Sequence, residues 1–118
     1  MAALVLLVDD EPEVVHVLRA VLESAGYRTV AATSFEDGKR LLADTPPPDV
    51  LITDVRLGMF NGLQLAVLRP PTTAVIVISG FLDRTLEAET RRLGGVYMLK
   101  PVPAKQLIET VETLIAKA

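Results

Sequence analysis

"LVLLVDDEP", residues 4–12, sets five apolar residues, Leu4 to Val8, directly before three consecutive acids, Asp9, Asp10 and Glu11. An apolar run of this length, followed at once by polar residues, reads as a strand buried on both faces. Acids packed side by side repel, and the repulsion grows where apolar walls lower the local dielectric. A strand that ends in such a cluster calls for a cation to offset it.

Four more segments have a similar form. "VLIT" (50–53), "AVIVIS" (74–79) and "VYML" (96–99) are short and apolar, and "YRTVAAT" (27–33) is a weaker version. Helix-period stretches separate them. Val14, Val17, Leu18, Val21 and Leu22 fall on one stripe of a first helix, with Pro12 in its opening turn and Gly26 as its stop. Off that stripe lie His16, expected in solvent, and Val15, expected as an exposed valine that could face a partner. "SFED" from Ser34 resembles a capping box and starts a second helix, with Phe35, Leu41 and Leu42 facing inward and "TPPPD" (45–49) closing it. Asn61 to Arg69 forms a third, cut off by Pro70-Pro71. Leu82 to Leu93 is a fourth, poor in apolar residues and weakly held. Ala104, Leu107, Ile108, Val111 and Ile115 mark a fifth.

Five strand–helix units predict an α/β fold, a doubly wound parallel sheet with helices on both faces and right-handed crossovers. At 118 residues one core is expected. No run of eighteen apolar residues is present to span a membrane, and no basic segment precedes the first strand as a signal peptide requires. The absence of cysteine excludes disulfides and thiolate metal sites and fits a cytoplasmic protein. A net charge of −3 argues against direct nucleic-acid binding, and Arg91-Arg92 reads as solvated helix surface.

Ligands of such sheets gather at the carboxyl ends of the strands. There stand Asp9-Asp10, Asp54, Ser79 and Lys100, each closing a different apolar run but for the first pair. Singly, each has an ordinary reading: a helix cap, a turn acid, a turn signal before Gly80, a strand terminator before Pro101. Together on one rim, the carboxylates make an all-oxygen site for a hard divalent cation, which Mg²⁺ fits best. The hydroxyl and the ammonium suit the oxygens of a phosphoryl group, which a carboxylate nucleophile could accept.

"LLVDDEP", "LITDVRL…NG", "VIVISG" and "YMLKP", in this order and near this spacing, resemble the receiver domains of two-component response regulators over essentially the whole chain. The resemblance implies a flavodoxin-like (βα)5 fold with strand order 2-1-3-4-5 and Asp54 as phosphoacceptor. Asp10 and Asp54 would touch the metal directly, Asp9 through water, and the backbone carbonyl of Arg56 would complete the protein ligands. Ser79 becomes the switch hydroxyl, Tyr97 the switch aromatic (otherwise a plain core residue) and Lys100 the phosphate-contacting lysine, followed by a cis bond to Pro101. Arg56 and Phe81 would flank the path of the hydrolytic water and tune dephosphorylation. The donor would be a sensor histidine kinase or a histidine phosphotransfer protein. The responding surface, and the route to a homodimer, would be the face of the fourth helix, fifth strand and fifth helix. Residues 1–118 would form a single receiver without an output domain, a phosphoacceptor that assists its own phosphorylation and slow dephosphorylation but is not an enzyme.

Three departures stand out. Gly58 occupies the place where receivers usually carry proline, which predicts a looser loop over the site; the stretch from Gly62 to Ser79 is short; and "GGVY" lacks one residue before the fifth strand. Two other classes share parts of the chemistry. A haloacid-dehalogenase-type phosphatase uses an aspartyl nucleophile in an Asp-x-Asp pair, where this chain has "DVR". A degenerate receiver would bind partners without being phosphorylated.

Overall fold

The computed structural model describes residues 2–44 and 46–117, so Thr45 of the expected helix-closing stretch lies outside it. Its elements are β1 (Leu4–Val8), α1 (Pro12–Ser24), β2 (Arg28–Ala32), α2 (Phe35–Leu42), β3 (Val50–Asp54), β4 (Arg56–Leu57), β5 (Phe60–Asn61), α3 (Gly62–Leu68), β6 (Ala74–Ser79), α4 (Arg84–Arg92), β7 (Val96–Leu99) and α5 (Ala104–Ala116). Five parallel strands form one sheet in the order β2-β1-β3-β6-β7. This is the expected 2-1-3-4-5 flavodoxin-like arrangement once the small β4-β5 hairpin is set aside.

Alternation along the strands divides the core in two. Val5, Leu7, Val50, Ile52, Ile76 and Ile78 pack with Leu18 and Leu22 of α1 and Leu107 and Val111 of α5. Leu6, Val8, Leu51, Val75 and Val77 face the other way, onto Leu42 of α2 and Leu65 and Ala66 of α3. Full burial of each such aliphatic side chain contributes about 1.5–3 kcal/mol. Gly38 lets α2 approach the sheet, since a Cβ there would lie 3.0 Å from Val8 Cγ2.

The stripe of α1 differs from its prediction. Val15 is buried, whereas Val17 is 58% exposed. The inward face is centred on Leu18, so Val15 falls nearer to it around the helix than Val17 does. The valine left on the surface is Val17; His16 is exposed as expected. Helix α4 begins two residues later than predicted because the Asp83 carboxylate caps it, accepting from the N–H groups of Thr85 and Leu86 at 3.0 and 3.1 Å. Thr90 is its only buried residue. At the far end of α4, Arg69 donates to the Leu93 carbonyl at 2.7 Å while also holding Ala66 O (2.6 Å) and Thr73 O (3.1 Å).

The loop after β3 closes as a hairpin. Leu57 pairs with Phe60 across a two-residue turn. Gly58 carries φ +62°, and Met59 does not share the positive φ, the pattern of a II′ hairpin turn with glycine first. Proline, with φ near −65°, could not stand at Gly58 in this turn. Phe60 stacks on Phe35 at 4.4 Å with 13° between the rings, fastening the hairpin to α2.

Candidate functional site

The strand ends deliver the predicted residues to one rim. Asp9 leaves β1 with its N–H on the Ala32 carbonyl of β2 (3.2 Å), and Lys100 leaves β7 with its N–H on the Ser79 carbonyl of β6 (2.8 Å). Asp54 and Ser79 are themselves the last residues of β3 and β6. Gly62 holds the loop beyond Asp54 close: its N–H donates to Val55 O at 2.7 Å, and a Cβ there would run into the Asp54 carbonyl. The Lys100-Pro101 bond is cis, as expected.

Asp9 and Asp54 are buried; Asp10 and Glu11 are exposed. One carboxylate oxygen from each of these four lies within 4.8 Å of the others. Lys100 Nζ stands 3.0 Å from Asp9 Oδ2, 3.4 Å from Asp54 Oδ2 and 3.4 Å from Glu11 Oε1. Asp9 Oδ1 accepts the Glu11 N–H at 2.9 Å. Asp9 Oδ2 is buried and, despite the nearby ammonium, receives no well-directed hydrogen bond. A buried oxygen with spare lone pairs, among carboxylates only, fits a divalent cation of the oxygen-preferring kind.

Burial, and then the charge of Asp9, raise the pKa of Asp54; Lys100 and a backbone hydrogen bond at Arg56 lower it by less. Burial works against the Lys100 ammonium, but contact with Asp9 and then the charge of Asp54 more than offset it, so its pKa is raised. The acids therefore hold the ammonium, whereas the Asp54 charge is opposed by burial and by Asp9 and only partly offset by Lys100.

A cavity of about 190 Å³ opens over this group, lined by Glu11, Asp54, Arg56, Ser79, Phe81 and Lys100 among others. Ser79 Oγ donates to the Phe81 carbonyl at 2.9 Å. Tyr97 is set apart from the acids, and its hydroxyl donates to the same carbonyl at 3.0 Å. The Arg56 guanidinium lies over the Phe81 ring, 4.9 Å from its centroid. Two relationships were missed from sequence: the reach of Lys100 to Glu11, signalled only by the third acid of "DDE", and the Arg56–Phe81 stack, which no sequence spacing announces.

An acid cluster with a lysine in contact with it beneath a cavity, on this rim of this sheet, defines a receiver-type module. The chain belongs to the response regulator receiver domain family, whose model matches residues 5–112. It is similar to the two-component response regulator PprB of Pseudomonas aeruginosa, at 32% identity over 117 residues, 93% of this chain but 42% of PprB. A response regulator receiver domain protein from Clostridium thermocellum matches with a TM-score of 0.91 at 27% identity, covering 98% of this chain and 95% of that one. A response regulator from Burkholderia pseudomallei, solved with a phosphorylated aspartic acid, a calcium ion and citrate, shares the fold with a TM-score of 0.83 at 21% identity, over 98% of this chain and 69% of its own. No helix among the described residues is long and apolar enough to cross a membrane.

Proposed function

We propose that the chain is a phosphorylation-controlled switch that accepts a phosphoryl group on Asp54 from a sensor histidine kinase or a histidine phosphotransfer protein, with Mg²⁺. The observation that carries this reading is the Asp54 carboxylate at the floor of the cavity, 3.4 Å from the Lys100 ammonium and grouped with Asp9, Asp10 and Glu11. The Burkholderia relative of the same fold, with its phosphorylated aspartic acid and calcium ion, supports it.

In the proposed transfer a carboxylate oxygen of Asp54 forms the new O–P bond as the N–P bond to the donor imidazole breaks and the imidazole leaves with its electron pair. Asp9, Asp10, Asp54 and the Arg56 carbonyl would hold the Mg²⁺, whose chemistry is to offset charge on the transferred group. Lys100 binds a phosphoryl oxygen as an ammonium, and Ser79 donates its hydroxyl to another. The responding face is α4, β7 and α5, where Leu99 is 44% exposed and α4 has one buried residue, and Leu82, in the loop before α4, is 53% exposed. A protein target or a second copy of the chain would bind there. The net charge of −3 favours protein partners over nucleic acid, and a cytoplasmic site fits this role.

Incubation with Mg²⁺ and acetyl phosphate, followed by intact-mass measurement, tests the reading. One phosphoryl group should be gained, only with Mg²⁺, and none in Asp54→Asn. An unchanged mass in protein that demonstrably binds Mg²⁺ would replace this reading with a receiver that works unphosphorylated.

A further inference from the structure

Three functional side chains converge on Phe81, a loop residue between β6 and α4. Its carbonyl accepts from Ser79 Oγ at 2.9 Å and from Tyr97 OH at 3.0 Å, and its N–H donates back to Ser79 Oγ at 3.3 Å. Its ring, 42% exposed, carries the Arg56 guanidinium at 4.9 Å from the centroid. Arg56 comes from the β4-β5 hairpin, across the cavity mouth from the Ser79–Phe81 segment.

We propose that Phe81 is a positioning residue that ties the Arg56 guanidinium, at the mouth of the acidic cavity, to the hydroxyl of Ser79. A serine hydroxyl has one proton to donate, and here Phe81 O receives it. Ser79 can donate to a phosphoryl oxygen only by letting that carbonyl go. Tyr97 is then the carbonyl's remaining side-chain partner. Gly80, between the two, has open space where a side chain would be, so the 79–81 segment meets no obstacle there when it turns. A turn of the Phe81 backbone moves the ring, and the ring moves the seat of Arg56. The stack is of modest strength, enough to bias an exposed arginine rotamer and weak enough to release. A positive charge that lines the same cavity as Glu11 and Asp54 thereby takes its position from the donor state of Ser79. The meaning given to that donor state rests on the function proposed above; the linkage itself does not.

The linkage can be read in unphosphorylated, metal-free protein by NMR. Arg56 side-chain protons, assigned by their loss in Arg56→Lys, should be shifted upfield by the Phe81 ring current, and Phe81→Leu should abolish the shift. Ser79→Ala, with its fold checked by backbone amide signals, should lose most of the shift; Ser79→Thr, which restores a hydroxyl, should keep it. A full upfield shift in folded Ser79→Ala would overturn the proposal, as would its absence in wild type. These outcomes are separate from phosphorylation. Loss of the shift in Ser79→Ala, in a protein whose mass acetyl phosphate leaves unchanged, would support the linkage while refuting the proposed function.

Discussion

Lys100 stands closer to Asp9 than to Asp54, 3.0 Å against 3.4 Å, so the ammonium is shared with a carboxylate other than the proposed phosphoacceptor. Any divalent cation entering the group meets this positive charge. Lys100→Met should therefore tighten Mg²⁺ binding by about tenfold, equivalent to about 1.4 kcal/mol, and lower the thermal midpoint without Mg²⁺, where the acids lose their compensation. Titration calorimetry decides the first part: equal or weaker Mg²⁺ binding would show that the lysine does not oppose the metal.

Asp54→Asn should raise the thermal midpoint in chelator by a few degrees, about what 1 kcal/mol produces in a domain of this size. Burial first, and then Asp9, raise the Asp54 pKa above its unfolded value. The stability this group contributes is therefore present below the unfolded pKa and lost as pH rises through the folded one. The advantage of Asp54→Asn should accordingly vanish at acid pH and grow towards neutrality. Parallel midpoint curves for the two proteins across that range would contradict the assignment.

Gly62→Ala should destabilise by about 1–3 kcal/mol, the usual range for overpacking, and slow phosphorylation. Its Cβ would strike the Asp54 carbonyl and lie 2.8 Å from Thr53 Oγ1, forcing the Asp54 backbone to move. Gly80→Ala, with nothing within 4 Å of its Cβ, is the matched control. Denaturant unfolding should separate the two; equal midpoints would mean that the loop yields freely.

The aspartyl-phosphate should be long-lived. Arg56 offers only donors and Phe81 none in its side chain, so neither can act as a base towards water. The hairpin that carries Arg56 is fastened by the Phe35–Phe60 stack and does not lie open. A half-life beyond about a minute requires a barrier above roughly 20 kcal/mol. Phosphate release after donor removal measures it: decay within seconds would end the idea, and Phe81→Asn should decay faster than wild type.

The sheet and the rim were legible because they follow from patterns one residue wide. Apolar runs that stop at Asp9, Asp54, Ser79 and Lys100 name both the strand and the group at its end. Position around a helix was less so. With Val14, Val15, Val17 and Leu18 all apolar, the period admits stripes through either Val15 or Val17, and packing on the sheet chose Val15. The β4-β5 hairpin has two residues per strand, too few for any period, so from Gly58 only a loop was expected there and not its pairing. The Arg56–Phe81 contact joins residues of separate loops and exists only once the sheet has brought those loops together.

Arg69 gives α4 two unlike ends. Its guanidinium clamps the Leu93 carbonyl, close to the one buried residue of the helix, Thr90. The opposite end is held by a cap from its own chain at Asp83, two residues beyond Phe81. With one buried residue between these two ends, the seating of α4 depends heavily on a pair of polar contacts made by Arg69 and Asp83.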